Sequence, residues 1–512
     1  MGQKLEMSTL LKSKYFHDIF RIGEDGIPEF GMFVGGDWIF GDQSYEVESP
    51  NTGEIIARVS KPDSEQIESA IRMVYEQGRR NIRNYPGESR VESFLRAANM
   101  MKESFDDFVN TLVIDAGKPK KNAQGEVNAT IERLEKTTME SRIIMGDYIP
   151  GDWSEETLES EAIVKREPYG LILAISPFNY PLFITSSKVI PSLLSGNSIV
   201  LKPASADPLA ALLFTRLLEL SGFPKESFST MGLKGRETGA LVGDRRIRTI
   251  TFTGSTETGA DILRNAGIKH FHMELGGKDP VVVLEDADLE NAVPKILKGF
   301  TGYSGQRCDA VRLIIVEEPA YDEVKQRLVE SLKEIEPKNP EEDEEAIMGP
   351  LIDEKTADYV EEIYNDALNN GANSLLEFRR SGRYIWPMIV EADKENLNRM
   401  NGFNEDVFAP FAILVKVKDE DEAIEVANSP RFGLDAAVFG NDETKVRKIA
   451  RKLEVGSVFV NEYPRHGIGY YPFGGMKDSG IGREGIGYSI AELTTTKTIV
   501  YNYKGYGVWE YL

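Results

Sequence analysis

Two chemically versatile residue types are scarce in this sequence, whose 512 residues include one cysteine and four histidines. A single cysteine cannot form a disulfide within the chain, which excludes a secreted fold that depends on disulfides. Two of the histidines, His270 and His272, are two residues apart, but no third ligand is evident beside them. Ordinary packing is the favoured interpretation of these histidines, and no metal site is predicted.

Positive charge and long apolar runs are also scarce. The 83 acidic residues outnumber the 60 lysines and arginines, and the net charge of -23 opposes binding to nucleic acid or to anionic lipid. Apolar runs such as residues 171–175 are far shorter than the ~20 residues that a bilayer requires. The first 20 residues are amphipathic and do not have the pattern of a signal peptide. We therefore predict a cytoplasmic protein with neither nucleic-acid nor membrane partners.

Short apolar strands alternate with helical periodicity from Tyr169 onward, which is typical of parallel sheets covered by helices on both faces. The predicted strands are residues 170–176, 198–201, 250–252 and 270–274 in a first series, and 281–284, 313–316, 412–415, 436–439 and 458–460 in a second. The two series predict two α/β domains. Before them, residues 33–60 indicate short strands with a hairpin, and residues 63–145 are mainly helical.

Two segments stand apart from these series. Residues 147–165 are polar and acidic and interrupt the first series, and residues 494–503 are rich in β-forming residues. We expect both to add strands outside the two main sheets, at an interface between subunits. The acidic run at residues 341–345 is interpreted as a solvated loop.

The single cysteine, Cys308, follows Gly305, Gln306 and Arg307. A guanidinium next to a thiol favours the thiolate, which is the nucleophilic form. A cysteine packed in the core is the alternative interpretation when this segment is taken alone.

Two further segments carry polar groups with catalytic potential. Glu274 ends an apolar strand and is followed by two glycines, and burial there would raise its pKa into the range of a general base. Asn179 lies between two prolines, where a rigid amide can donate to a developing oxyanion. Taken alone, the first is equally a surface residue at a strand end and the second a turn.

A glycine-containing loop, residues 252–259 (FTGSTETG), lies between a predicted strand and a helix. Glycines let the backbone approach a phosphate, and the N-terminus of a helix attracts negative charge. The spaced-glycine fingerprint of many dinucleotide-binding proteins is absent.

Taken together and in this order, these segments resemble the aldehyde dehydrogenase superfamily. The matching pieces are PFNYP, IVLKP, FTGSTETG, MELGGKDP, GQRC, VFAP and PFGGMKDSGIGREG, spread from about Gly35 to Lys497. The resemblance implies an α/β, aldehyde dehydrogenase-like fold with two doubly wound α/β domains and a small β oligomerisation extension. It implies a dinucleotide-binding domain at 1–146 and 166–277, a catalytic domain at 278–478, and an extension at 147–165 and 488–512, assembled as a homotetramer.

The resemblance also implies roles for single residues. Cys308 is the implied nucleophile, Glu274 the general base, and Asn179 the oxyanion donor together with the backbone N–H of Cys308. The expected cofactor contacts are Pro177, Phe178, Lys202, Ser205, Lys234, Gly254, Ser255, Gly259, Leu275, Asp406 and Phe408. The sequence departs from the family at Asp406, where glutamate is usual, and at Ala409, where glycine is usual. A non-catalytic protein on this scaffold is a remote alternative, because such a protein is expected to lack the catalytic residues, and Cys308, Glu274 and Asn179 are all present.

The expected cofactor is NADP, with NAD as the alternative. Relatives specific for NAD carry a glutamate where this chain has Ser205, and a glutamate would repel a 2′-phosphate. Lys202 supplies a cation nearby, and Lys234 and Arg236 are either further cations for the phosphate or plain surface charges. No metal is required.

The expected substrate is a small aldehyde, and a phosphorylated one is favoured. Arg307 and the segment from Pro464 to Phe473 resemble archaeal-type non-phosphorylating glyceraldehyde-3-phosphate dehydrogenases, as does the ending at residues 502–505. The expected substrate contacts are Asn179, Tyr180, Arg307, Arg465 and His466. Bacterial members carry an arginine soon after the match to residues 125–127, where this chain has Asn128, Ala129 and Thr130 and places Arg133 a turn later. An unphosphorylated aldehyde such as glyceraldehyde or succinate semialdehyde is the alternative.

Overall fold

Two large sheets with parallel centres carry the candidate site. The computed structural model describes residues 11–141, 146–467 and 469–503. In order across the first sheet, the strands are Gly480–Ile481, His270–Glu274, Ile247–Thr253, Leu171–Ile175, Ser198–Lys202, Phe228–Thr230, Met32–Val34 and Asp37–Ile39. Its central five strands, from His270–Glu274 to Phe228–Thr230, are parallel.

The strand order of the first sheet reverses between Leu171–Ile175 and Ile247–Thr253. Chain connections leave in opposite directions at such a point, which opens a crevice at the carboxyl ends of the strands. The central strands are apolar throughout because helices cover both faces, among them Phe183–Leu194 and Leu209–Leu220 on one side. The fold therefore places a ligand crevice where Ser176, Thr253 and Glu274 follow or end their strands.

The second sheet contains the strands of the second predicted series. In order, they are Asn373–Ser374, Met388–Glu391, Phe411–Val417, Val311–Glu317, Asp279–Val283, Asp435–Phe439 and Ser457–Val460, and all pairs are parallel except the first. Apolar side chains from both faces pack against helices in two clusters. The mixed α/β fold with two doubly wound sheets is confirmed.

The helices follow the predicted periodicity, with ends that differ by a few residues. The α-helices are Ser64–Met73, Arg79–Asn84, Gly87–Glu103, Phe105–Asp115, Lys120–Glu135, Thr137–Glu140, Phe183–Leu194, Leu209–Leu220, Gly239–Gly243, Thr256–Ala266, Leu289–Thr301, Glu318–Lys333, Glu354–Asn369, Asn401–Asn404, Glu420–Asn428, Glu443–Lys452 and Tyr488–Glu492. A π-helical turn, Val74–Gly78, joins the first two. Short 3₁₀ turns are Lys14–Phe16, Lys225–Ser227, Gly235–Glu237, Gly302–Gly305 and Lys394–Arg399.

Smaller sheets lie outside the two main ones. The strands Thr494–Asn502, Ser160–Pro168 and Asp147–Ile149 form one antiparallel sheet, which joins the two segments that the sequence set apart. A second contains Phe20–Ile22, Pro28–Phe30, Ile55–Lys61 and Gln43–Glu48, and its hairpin turns at Gly53, whose φ is 75°. Two-stranded pairs are Arg380–Ser381 with Tyr384–Ile385, and Phe432–Gly433 with Met476–Lys477.

Within the described residues, every helix is too short or too polar to cross a membrane. The predicted extension includes residues 504–512, among them Lys504 and Gly505, and these lie outside the described residues. So do residues 1–10 and Ile468.

Candidate active site

A cavity of about 880 Å³ lies at the carboxyl ends of the first sheet and reaches Cys308 from the second domain. Eleven of the residues selected from the sequence line it: Pro177, Phe178, Asn179, Lys202, Ser205, Gly254, Ser255, Leu275, Cys308, Asp406 and Phe408. The fold thus brings together segments that are more than 200 residues apart in the chain. The other selected residues, Tyr180, Lys234, Gly259, Glu274, Arg307, Arg465 and His466, lie outside the lining.

The turn before the nucleophile has a strained backbone. Tyr303 and Ser304 adopt left-handed conformations, with φ of 49° and 56°, which non-glycine residues rarely adopt. The hydroxyl of Tyr303 donates to the Ala116 carbonyl at 2.6 Å, and that of Ser304 donates to the Gly349 carbonyl at 2.8 Å. These buried hydrogen bonds hold the strained turn, and the turn directs Cys308 into the cavity.

The thiol of Cys308 is not activated by its neighbour as the sequence suggested. The guanidinium of Arg307 is buried and forms a salt bridge with Asp309 at 2.8 Å, so its charge is already balanced. Burial, followed by the negative charges of Asp309 and Asp279, raises the pKa of Cys308 well above its ordinary value. Arg307 therefore does not stabilise a thiolate in the way expected, because its charge is balanced by Asp309 and burial favours the neutral form of the Cys308 thiol.

The two glycines after Glu274 allow the loops of the two domains to approach closely. A Cβ atom on Gly277 would lie 2.3 Å from the Cys308 carbonyl oxygen, and one on Gly276 would lie 2.7 Å from a carboxylate oxygen of Asp406. Both distances are below any real contact of a Cβ atom. The glycines are therefore required because the backbone of one loop rests directly against the nucleophile.

Glu274 is buried, and its carboxyl is turned away from the cavity. Neither carboxylate oxygen has a hydrogen-bond partner among the described residues. Burial raises the pKa of Glu274 well above its ordinary value, with a further contribution from Glu484 and an opposing one from Lys188. A carboxyl with this environment is a proton acceptor of the strength that a general base needs.

Asn179 lines the cavity next to the nucleophile and is only 2 % exposed. Its side-chain oxygen has no hydrogen-bond partner within the described parts of the chain. The helix Phe183–Leu194 follows closely and is held by Glu126, whose carboxylate accepts from the backbone N–H groups of Leu182 and Phe183 at 3.0 Å. The segment that presents Asn179 is therefore rigid, as an oxyanion donor requires.

The other end of the cavity has the features of a phosphate site. Ser255 caps the helix Thr256–Ala266 by accepting from the Thr258 N–H at 3.3 Å, so the first turn of this helix faces the cavity. Gly254 lies at the same turn. Gly259 lies outside the lining, and a Cβ atom there would lie 2.5 Å from Leu275, so this glycine lets the helix pack against Leu275.

Two cations flank Ser205 at this end. Burial lowers the pKa of Lys202 to about 8, although Asp207 opposes this shift. The second cation is Arg236, which is exposed and lines the cavity, whereas Lys234 faces the ring of Tyr45 at 5.9 Å. Both residues are candidate phosphate-binding cations from the sequence, and the structure places Arg236 rather than Lys234 at the cavity.

The end nearest Cys308 is apolar. The rings of Phe178 and Phe408 have centroids 5.9 Å apart, and Arg312 covers Phe408 at 5.2 Å. Arg312 also lies 3.3 Å from Asp406, the aspartate found where glutamate is usual. A cavity with an aromatic end beside the thiol and a cationic end at a helix N-terminus fits a dinucleotide, with its redox ring at Cys308 and its phosphates at Ser255.

A cluster of charged groups lies behind the nucleophile. The guanidiniums of Arg307 and Arg465 lie 5.8 and 5.9 Å from the ring of Tyr463, and Arg465 is exposed. Asp309 accepts from the backbone N–H of His466 at 2.9 Å, so it fastens the nucleophile loop to the segment that carries both Arg465 and His466. The ring of Tyr180 is half-buried and faces the ammonium of Lys118 at 3.9 Å.

Comparison with known proteins agrees with this geometry. The sequence model of the aldehyde dehydrogenase family matches residues 38–499. The chain belongs to the aldehyde dehydrogenase family. As a member of this family it is an oxidoreductase that oxidises aldehydes, and the predicted identification of the family is confirmed.

The relatives carry two different substrate names. An NADP-dependent glyceraldehyde-3-phosphate dehydrogenase of Streptococcus equinus is 34% identical over 93% of this chain and 99% of its own. A lactaldehyde dehydrogenase of Methanocaldococcus jannaschii is also 34% identical, over 92% of this chain and 99% of its own. The crystal structure of NADP-dependent glyceraldehyde-3-phosphate dehydrogenase from Bacillus halodurans complexed with NADP is 31% identical and covers 92% of this chain and 99% of its own, with a TM-score of 0.88.

Some residues near the site were not selected from the sequence of this aldehyde dehydrogenase. Lys188 and Glu484 form a buried ion pair at 2.8 Å, and His272 lies between this pair and Glu274. From the sequence, ordinary packing is the favoured interpretation of His272. Its position two residues before Glu274 on one strand was the available signal, because such residues share a face.

Proposed function

We propose that this aldehyde dehydrogenase oxidises glyceraldehyde 3-phosphate to 3-phosphoglycerate with NADP, without consuming inorganic phosphate. The observation that carries the substrate proposal is the pair Arg307 and Arg465, whose guanidiniums share the ring of Tyr463 on the segment next to Cys308. Against a net charge of -23, such a local pair is what a dianionic substrate needs. Asp309 fixes Arg307, and the exposed Arg465 completes the clamp.

The reaction uses groups of this chain in three steps. The thiol of Cys308 gives its proton to water and its sulfur bonds to the aldehyde carbon, while Asn179 and the Cys308 N–H donate to the resulting oxyanion. A bound nicotinamide would supply the hydride acceptor, and loss of the hydride from this carbon leaves a thioester on Cys308. Glu274 then takes a proton from water, the hydroxide attacks the thioester, and the carboxylic acid leaves as the Cys308 sulfur is released.

The proposal of NADP over NAD rests on the phosphate end of the cavity. Ser205 leaves this end without the carboxylate that would repel a 2′-phosphate, and Lys202 and Arg236 line the same region. The NADP-bound relative with the same overall fold supports this proposal. Phosphate at this position is attracted by two cations, whereas NAD offers them only a hydroxyl.

An unphosphorylated aldehyde is a second candidate, and one observation favours it. Asp309 already balances the charge of Arg307, and Arg133, the nearest substitute for the arginine of bacterial members, is buried in a salt bridge with Glu140 at 2.7 Å. These arginines therefore offer less free positive charge than a phosphate clamp would use. Lactaldehyde and glyceraldehyde carry no phosphate, so their binding would need no free positive charge.

The deciding experiment compares glyceraldehyde 3-phosphate, glyceraldehyde, lactaldehyde and succinate semialdehyde, each with NADP and NAD, in wild type and in Arg465→Ala. Loss of an exposed charged contact should raise KM for glyceraldehyde 3-phosphate by about five- to tenfold and leave glyceraldehyde unchanged. Arg447→Ala, which removes an exposed arginine from the helix Glu443–Lys452, is the matched control. Higher kcat/KM for an unphosphorylated aldehyde would replace the first candidate with the second.

We also propose that the sheet of Thr494–Asn502, Ser160–Pro168 and Asp147–Ile149 joins subunits in a homotetramer. Large apolar side chains are exposed on it, among them Tyr148, Ile149, Val500 and Tyr501. Such a patch is typical of an interface between protein chains.

A further inference from the structure

The resting position of Glu274 raises the question of what holds it. A Cβ atom placed on Gly474 would lie 2.6 Å from one carboxylate oxygen of Glu274, and one on Gly480 would lie 3.6 Å from the other. The carboxyl therefore lies against the backbone of these glycines, on the side of its strand away from the cavity. From there it must swing toward Cys308 to activate water, so the withdrawn position needs its own support.

His272 is a buried polar side chain close to that carboxyl. It precedes Glu274 by two residues on the strand His270–Glu274, so both side chains project from one face. The Nε2 atom of His272 lies 4.0 Å from a carboxylate oxygen of Glu274, and it has no hydrogen-bond partner among the described residues. A swing of about 1 Å by the flexible carboxyl would bring the two atoms into hydrogen-bonding distance.

The other ring nitrogen determines which proton His272 offers. Nδ1 lies 3.1 Å from the hydroxyl of Thr251, and that hydroxyl accepts from the ammonium of Lys188 at 3.3 Å. An oxygen that accepts from an ammonium is free to donate its own proton, here to Nδ1. The imidazole then carries its proton on Nε2, which faces Glu274.

The charges around this pair favour a neutral imidazole. Burial lowers the pKa of His272 to about 4, opposed by Glu484 and Glu492 and reinforced by Lys188 and His270. Glu274 is faced by Glu484, Lys188, Arg483 and Asp435. His272 therefore acts as a neutral donor rather than as a cation.

We propose that His272 is a positioning residue that holds the carboxyl of Glu274 in its withdrawn position through the Nε2–H group, leaving the cavity clear until deacylation. The inference rests on the proposed role of Glu274 as the deacylation base. A donor to the carboxylate stabilises its charged form and keeps its pKa lower than burial alone would allow. Without it, Glu274 should be protonated over a wider pH range and deacylation should need a higher pH.

The test isolates deacylation with 4-nitrophenyl acetate, an activated ester that acylates a cysteine without any hydride acceptor. The substitution His272→Leu should shift the midpoint of the deacylation rate upward by about 0.5 to 1 pH unit. Below the midpoint, deacylation should slow by about three- to tenfold, and mass spectrometry should show more acetylated Cys308. Release of 4-nitrophenol in the first turnover should stay within twofold of wild type.

Conservative variants distinguish positioning from packing. His272→Gln keeps an N–H group at the position of Nε2 and should restore the wild-type pH profile, whereas Thr251→Val should reproduce part of the shift. His270→Gln is the matched control on the same strand and should leave the profile unchanged. Equal shifts in His272→Leu and His272→Gln, or a wild-type profile in His272→Leu, would overturn the inference. If His272→Leu does not fold, the profile of Thr251→Val decides in its place.

Failure of the proposed function gives a different result. Glu274→Gln should block deacylation at every pH. If Glu274→Gln deacylates at the wild-type rate, the general base is wrong, whatever the histidine variants do. If Glu274→Gln is blocked and His272→Leu is indistinguishable from wild type, only the positioning role of His272 fails.

Discussion

The contact between Gly277 and the nucleophile loop predicts a large effect from adding one methyl group. In Gly277→Ala, the new Cβ atom would lie 2.3 Å from the Cys308 carbonyl oxygen and 3.0 Å from a carboxylate oxygen of Asp279. The first of these distances must grow to at least 3.0 Å, so the backbones of Gly277 and Cys308 have to separate by about 0.7 Å or more. The oxygen belongs to the backbone, so no side-chain rotation relieves the contact.

A shift of this size displaces the sulfur relative to Asn179 and to the aldehyde. Misplacement of a reacting group by about 1 Å can cost a hundredfold in rate, so we expect kcat/KM to fall by about 10- to 100-fold. Dinucleotide binding, measured by fluorescence titration, should change less than kcat/KM, because the close contact of Gly277 is with the nucleophile loop. Alkylation of Cys308 by iodoacetamide should change as well, since it depends on the same sulfur position.

Gly243→Ala is the matched control for this substitution. Gly243 is exposed and lies outside the lining of the cavity, and a Cβ atom there meets no other atom within 4 Å. This variant should keep kcat/KM within about twofold of wild type, because it adds a methyl group in open space. The close-contact argument would be refuted if Gly277→Ala retained wild-type kcat/KM and melting temperature.

Three further predictions address the cofactor, the thiol and the assembly. Ser205→Glu should lower the preference for NADP over NAD by about 10- to 100-fold, because the new carboxylate would repel the 2′-phosphate. If the ratio of kcat/KM with NADP to kcat/KM with NAD does not change, another residue discriminates between the two cofactors. Because the pKa of Cys308 is raised above the ordinary thiol value of about 8.5, its alkylation rate in the cofactor-free protein should keep rising above pH 8.5. A plateau of that rate near neutral pH would contradict the raised pKa. Replacing both Val500 and Tyr501 with lysine should lower the molar mass measured by light scattering, and an unchanged tetramer mass would exclude this sheet as an interface.

Much of the architecture could be predicted because strand and helix periodicity are local properties. The apolar strands of both sheets were evident because both of their faces are buried, and the helix predicted next to the loop at residues 252–259 is present as Thr256–Ala266. The match of motifs in order likewise selected eleven residues that line one cavity. Such agreement is expected where local propensity and the final fold favour the same structure.

The charge balance of the site could not be predicted, because it depends on which groups the fold brings together. From the sequence, the cation next to Cys308 either favours a thiolate or pairs with a nearby carboxylate such as Asp309; the structure shows that the pair forms and that burial favours the thiol. From the sequence, Lys234 and Arg236 are equally good candidates for the phosphate site. Only the 3₁₀ turn Gly235–Glu237 decides that Arg236, and not Lys234, lines the cavity. The sequence by itself determined the family, the fold and the chemical groups, since these follow from residue types in order. The tertiary structure decided protonation and direction, because both depend on burial and on neighbours hundreds of residues away, as with Glu274 and Glu484.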